Sequence, residues 1–183
     1  RWSATRPTRE RASGPTGRTI IVAKEPFATS NSAGGFSILY ALGSRPGIDE
    51  LSGRLGEVFA SISASPSQPA EGWVELIASG LAFDVQGLSP GPATEWFEDS
   101  PRLIGVDPKI VIDDVESVAV VPGEHIRAAS RQISVVRVLS SLAALLATLP
   151  DAMAIYWPPA KALIEPIYFA STVRPWLAGG PFP

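Results

Sequence analysis

Residues 133–149 read ISVVRVLSSLAALLATL, and Pro150 closes the run. Val135, Leu139, Leu142, Leu146 and Leu149 recur at helical spacing and make one seam. Ile133, Val136, Ala143 and Ala147 make a second seam, and Val138 and Leu145 a third. From Val138 onward the stretch is apolar nearly all round, which predicts a helix buried on most sides. The helical region is expected to span 123–149, with Arg127, Arg131 and Gln132 on wetter opening turns. Such a helix needs partners on several sides, and the flanking segments are read as those partners.

Downstream, 152–157 reads as a strand closed by Pro158-Pro159, and Pro166 opens a short helix through Ala170. Residues 175–183 read as coil. Upstream, Phe36-Ser-Ile-Leu-Tyr-Ala-Leu (36–42) is apolar on both faces except at Ser37, the pattern of a central strand. Ile48, Leu51, Leu55, Val58, Phe59 and Ile62 then mark an amphipathic helix, with Asp49 and Glu50 in its dipole-favoured first turn. Residues 63–71 read as a loop. The runs 73–78 and 81–86, joined by Ser79-Gly80, predict a hairpin. A loop over 90–101 holds Glu95, Trp96, Phe97, Glu98 and Asp99. Residues 109–112 and 115–121 are strand-like, with a turn at Asp113-Asp114. An earlier β-branched run, 19–24, predicts one more strand. The predicted class is therefore α+β. A mainly antiparallel sheet carries one long buried helix and one amphipathic helix, in a βαββαβ-like plan with an inserted hairpin.

The chain has 183 residues, 45% hydrophobic and 18% charged, with no Cys, one His and one Met. That length and apolar content suit one core in a single domain over 18–183. Residues 1–17, aperiodic and rich in Arg, Pro and Gly, read as a flexible basic arm. Through residue 18 there are five Arg and one Glu, a net +4, leaving −7 for the remainder of a chain whose total is −3. An acidic body argues against nucleic acid as a partner, because phosphate neutralisation supplies most of that affinity. The longest apolar-and-small run, 138–149, falls short of the ~18 residues of a membrane span, and the Arg-rich start has no signal-like apolar stretch after it. The lack of Cys suits a reducing, cytoplasmic setting and rules out thiolate chemistry and Cys-held metals. The excess of Arg over Lys, with Asn31 the only Asn, points to a GC-rich bacterial genome.

Motifs of chemistry are sparse. Neither GxxxxGK[ST] nor a strand-following GxGxxG occurs, and no cofactor is expected. A single His cannot build a multi-imidazole metal site, and no metal site is expected. His125 is the only imidazole of the chain and so the one candidate general base of that type, and no GxSxG elbow offers it a nucleophile. Arg127 and Arg131, four apart on one expected helix face, would grip a carboxylate or phosphate or pair with Glu124 and Glu116. Two adjacent acidic pairs, Asp113-Asp114 and Glu98-Asp99, read as turns, since neighbours on a strand point to opposite faces. Trp96 and Phe97 stand in a polar loop, either as a partner-binding anchor or folded back onto the core.

The carboxy-terminal third resembles a known family. An Ala-rich apolar helix leads into Ala154-Ile155-Tyr156-Trp157, then Pro158-Pro159-Ala160, and a Glu165-Pro166…Phe169 step follows. This pattern, with the Phe36-Ser-Ile-Leu-Tyr strand and its amphipathic helix, is similar to bacterial domain-of-unknown-function family 4261. The resemblance covers 36–62 and 120–170. It implies a bacterial α+β domain and carries over no functional residues.

Three expectations follow. The first is a non-enzymatic binding or protein-interaction module, self-associating through a sheet edge or the Trp96-Phe97 loop. The second is a small-ligand binder or enzyme with His125, Arg127 and Arg131 at the start of the long helix and Tyr156 or Trp157 as a wall. The third is a neutralising partner of a basic cognate protein, steered by the acidic body.

Overall fold

The computed structural model describes residues 34–58, 63–68, 71–96, 98, 100–109 and 114–181. The arm over 1–17, the strand over 19–24, Phe97, Asp99, the strand over 110–112 and Asp113 lie outside the described residues.

Among the described residues eight strands form one sheet: β1 Phe36–Ala41, β2 Ser63–Gln68, β3 Trp73–Ala78, β4 Leu81–Gln86, β5 Arg102–Ile104, β6 Val115–Pro122, β7 Ala152–Trp157 and β8 Ala162–Ile164. Their order is β2-β3-β4-β6-β1-β7-β8-β5. Every pairing is antiparallel except that of β5 with β8. The doubly apolar β1 is indeed central, held between β6 and β7. Among the described residues three α-helices complete the fold: α1 Ile48–Val58, α2 Ile133–Leu146 and α3 Pro166–Leu177. The architecture is α+β, as the periodicities predict.

Strand alternation sorts the core into two layers. Phe36, Ile38 and Tyr40 of β1 face the helices and join Leu51 and Leu55 of α1, Leu139, Leu142 and Leu146 of α2, and Phe169 and Trp176 of α3. The Tyr40 hydroxyl donates to the Leu146 carbonyl at 3.1 Å, and that carbonyl also accepts from Leu149 N–H at 3.1 Å, so the strand is tied to the closing turn of α2. Burial, with the Glu50 charge added, holds the Tyr40 hydroxyl well above its ordinary pKa. On the opposite face, Leu39, Ala154, Tyr156 and Leu163 meet Val106 in a smaller apolar cluster.

The predicted hairpin forms at Ser79-Gly80. Both residues have positive φ, 53° and 75°, the geometry whose twist matches the flanking strands.

Several boundaries differ from expectation. The region before α2 is not α-helix: 124–129 is a 3-10 helix, and α2 begins only at Ile133 after Gln132. Residues 124–132 lack an apolar stripe; only Ile126 and Ala129 reach the core. Arg127 therefore lies in the 3-10 helix and Arg131 in the following turn, and they share no helix face. Ile133, expected in a buried seam, is 62% exposed.

The expected loop over 63–71 contains β2. Among the described residues it is an edge strand, the position in a sheet where a proline such as Pro66 is tolerated. Its register shifts between Ser65 and Gln68. The three-residue strands β5 and β8 were not predicted, being too short to show a period.

The helix opening at Pro166 continues through Pro175 to Leu177. Proline in the last turn forfeits one backbone bond, while tertiary contacts hold the turn. Trp176 is buried. The Arg137 guanidinium lies 5.1 Å from its ring centre and donates to the Leu177 carbonyl.

Candidate functional site

Against the smaller apolar layer the described residues line a half-open pocket. Its floor is sheet: Leu39 of β1 and Leu163 of β8 are buried, and the small Ala154 of β7 lies between their strands. Its cover is the connection from β4 to β6, which crosses this face.

Two polar anchors fix the first half of that connection. Thr94 N–H donates to the Ser117 carbonyl at 3.0 Å, and Ser117 Oγ donates to the Thr94 carbonyl at 2.6 Å. Gly87 permits this approach. Its φ is +89°, and a Cβ there would lie 2.6 Å from the Ser117 carbonyl oxygen. Four residues past Thr94, Glu98 accepts from the Tyr156 hydroxyl at 2.9 Å and from Lys161 Nζ at 3.2 Å.

Trp96 hangs between the two anchors, half-buried, its ring 5.7 Å from that of Tyr156. The hydrogen bond from Tyr156, and then that from Lys161, hold the Glu98 carboxyl below its usual range. Burial first, and the Glu98 carboxylate second, push the Tyr156 hydroxyl up to about 12. A phenol held in its protonated form beside a fixed carboxylate is a clamp and not an activated base.

Between floor and cover lies a cavity of about 160 Å³. Leu39, Leu163 and Val106 make its buried base. Trp96, Pro101 and Val115 are half-buried walls, while Leu103, Asp107 and Pro108 are exposed at the rim. Among the described residues Asp107 is the only ionisable side chain of the lining. The mouth therefore opens toward β5, and the chamber behind it is apolar.

A second polar cluster braces the fold. Arg45 Nε meets Glu116 Oε2 at 2.7 Å, its Nη1 donates to the Gly87 and Gly91 carbonyls, and Gly43 N–H donates to Glu116 at 3.0 Å. The bond from Arg45 is the main reason the Glu116 carboxyl sits below its ordinary range. Glu116 was one expected partner for Arg127 and Arg131, and it is occupied by Arg45.

The sequence-derived candidates are scattered. His125, Arg127 and Arg131 are exposed on or just after the 3-10 helix. Trp157 stacks on Phe36 at 6.2 Å on the helix-bearing face, whereas its neighbour Tyr156 belongs to the opposite layer. Successive strand residues point apart, so these two cannot wall the same cleft. Trp96 is folded onto the sheet as a cavity wall and does not stand free. Among the described residues no three His, Asp or Glu side chains converge to hold a metal ion.

Lys161 and Arg45 are polar residues that sequence reasoning missed, and Glu98, read there only as part of a turn, takes both Tyr156 and Lys161 as partners. Their partners are 58, 63 and 71 positions away, and no local pattern announces such pairs. The hint was the acidic run around Trp96, since a carboxylate beside a half-buried aromatic needs a donor from elsewhere.

Fold and site together define a class: an open mixed sheet with helices on one face and a clamped loop over an apolar cavity on the other. Comparison of the chain with family models, with curated proteins and with solved structures finds no match. The resemblance to family 4261 rests on the quoted residues alone.

Proposed function

We propose that the chain is a non-enzymatic interaction module that receives one apolar group of a protein partner in the cavity behind Trp96. The observation that carries this reading is the chamber itself: about 160 Å³, lined by Leu39, Leu163 and Val106, with an open rim. An apolar cavity of roughly 150 Å³ elsewhere is known to stay dry and admit benzene. A Leu or Phe side chain presents a group of that size. The Tyr156–Glu98–Lys161 clamp supports the reading, because a wall held by fixed hydrogen bonds costs little ordering when the guest enters. Among the described residues no helix is long and apolar enough to cross a membrane. The absence of Cys suits a cytoplasmic module, and the pairing of β1 with β7 joins the two strands on which membership of bacterial family 4261 is proposed.

Toluene is a suitable first probe. Methyl NMR signals of Leu39, Val106 and Leu163 should shift saturably, with Kd of about 1 mM, near 4 kcal/mol of affinity. Val115→Phe, which places a ring in the chamber, should abolish those shifts while the protein stays folded. Shifts that grow without saturation, or are unchanged in the variant, would refute the reading.

A further inference from the structure

The rim of the cavity coincides with the end of the sheet. Among the described residues β5 pairs only with β8 and is the last strand in the order. Arg102 N–H donates to the Lys161 carbonyl at 2.8 Å, and the Ile104 carbonyl accepts from Glu165 N–H at 2.9 Å. In a parallel ladder alternate residues turn both backbone groups to the same side. Arg102 and Ile104 thus spend theirs on β8, and Leu103 presents its N–H and carbonyl outward. The Leu103 side chain is 43% exposed and forms part of the cavity rim. A strand added beyond β5 would run about 4.8 Å away, and its residue opposite Leu103 would set its side chain at the cavity mouth.

The charges around this edge select among such strands. Arg102, Lys109 and Lys161 are all exposed. Lys161 is bound to Glu98, and Arg102 and Lys109 have no ion pair among the described residues. Of the nearby acids among the described residues, Glu98 is committed to Tyr156 and Lys161, Glu165 caps α3 by accepting from Ile167 N–H and Tyr168 N–H, and Asp107 Oδ1 accepts from Lys109 N–H at 2.9 Å. The edge therefore offers two uncommitted cations on a chain that is net acidic.

We propose that β5 receives an extended peptide segment as an added strand, with a Leu-like side chain in the cavity and acidic residues flanking it. Main-chain bonds to Leu103 supply the pairing, the chamber reads the apolar residue, and Arg102 and Lys109 read the acids. The inference rests on the cavity reading above and names the partner class for that same site.

The test uses the full chain and the peptide acetyl-Asp-Thr-Leu-Thr-Glu-amide, followed by amide and methyl NMR with toluene binding as a parallel measurement. Expected are saturable shifts at Leu103, Ile104, Asp107 and Leu163. Affinity should fall at least tenfold when the peptide Leu is replaced by Ala, when its backbone nitrogen is methylated, or when Lys replaces both acids. Leu103→Pro, which removes the outward N–H and leaves the bonds to β8 in place, should weaken the peptide and retain toluene. Toluene binding with no peptide shifts at β5 would overturn strand addition and leave the cavity reading standing. A methylated or Lys-flanked peptide binding as well as the parent would overturn it too. Failure of toluene itself would remove both.

Discussion

Tyr156 and Glu98 show how two residues secure a wall. The Tyr156→Phe variant keeps the ring against Trp96 and removes the hydroxyl, leaving Glu98 with Lys161 alone. It is expected to lose about 1 kcal/mol in urea unfolding, the usual net worth of such a bond. The acid limb follows from the sign of the shift. The folded protein holds the Glu98 carboxyl below its unfolded value, so this contribution is present above roughly pH 4.3 and disappears as pH falls through the folded value. The alkaline limb has the opposite sign. Tyr156 is raised to about 12, so its contribution is complete below about pH 10 and is lost as pH rises toward 12. Tyr40, also raised by burial, adds to the same limb. Unfolding curves collected from pH 9 to 12 should show falling stability, less steeply in Tyr156→Phe. Equal slopes in the two proteins would deny Tyr156 that role. Gly87→Ala tests a backbone position: with φ at +89° and a carbonyl 2.6 Å from the new methyl, it should destabilise by more than about 1 kcal/mol.

At the level of elements, α2 carries the larger core and β1 divides the two layers. Leu142 is 1% exposed, and Leu142→Ala should cost about 2–5 kcal/mol by calorimetry or denaturant titration. These two elements were also the most legible in the sequence, for a physical reason. A buried helix must repeat its apolar residues over four turns, and a central strand must be apolar on both faces, so burial writes itself into the local order of residues. The hairpin was legible because its turn demands a residue such as Gly80. What stayed hidden obeys no such local demand. β5 exists because three residues find a ladder partner in β8, far along the chain, and β8, only three residues long, folds back on β7 across residues 158–161. β2 carries Pro66 and little apolar residue content, and it takes its strand form from β3. The start of α2 was misplaced because 124–132 has polar residues compatible with helix but no stripe to bind it to the core. The site was hidden more completely than the fold. Trp96 stood out in the sequence, but Leu39, Val106 and Leu163 look like any core residues, and only the spacing between their elements makes them a chamber. His125, Arg127 and Arg131 stood out by chemistry, and the fold leaves them on the surface.

Seen whole, the molecule packs one face of its sheet with three helices and covers part of the other with a pinned loop, and the cavity lies in that thinner layer. An apolar pocket carries a cost wherever it stays dry, since its lining atoms forgo contacts, at about 24 cal/mol per Å³ in fully enclosed cavities. A packing defect and a binding chamber both carry that cost, and they part company when the space is filled. Val106→Leu adds one methylene to a residue that is 9% exposed and lines the base. If the new group lodges in the void, stability should rise by about 1 kcal/mol, read from the urea midpoint at unchanged slope. The same variant should weaken toluene binding severalfold, because guest and side chain compete for one volume. A gain in stability with unaltered toluene affinity would separate the void from the binding space and contradict the proposed function. A gain in one quantity at the expense of the other is the trade expected where a protein keeps an open chamber for use.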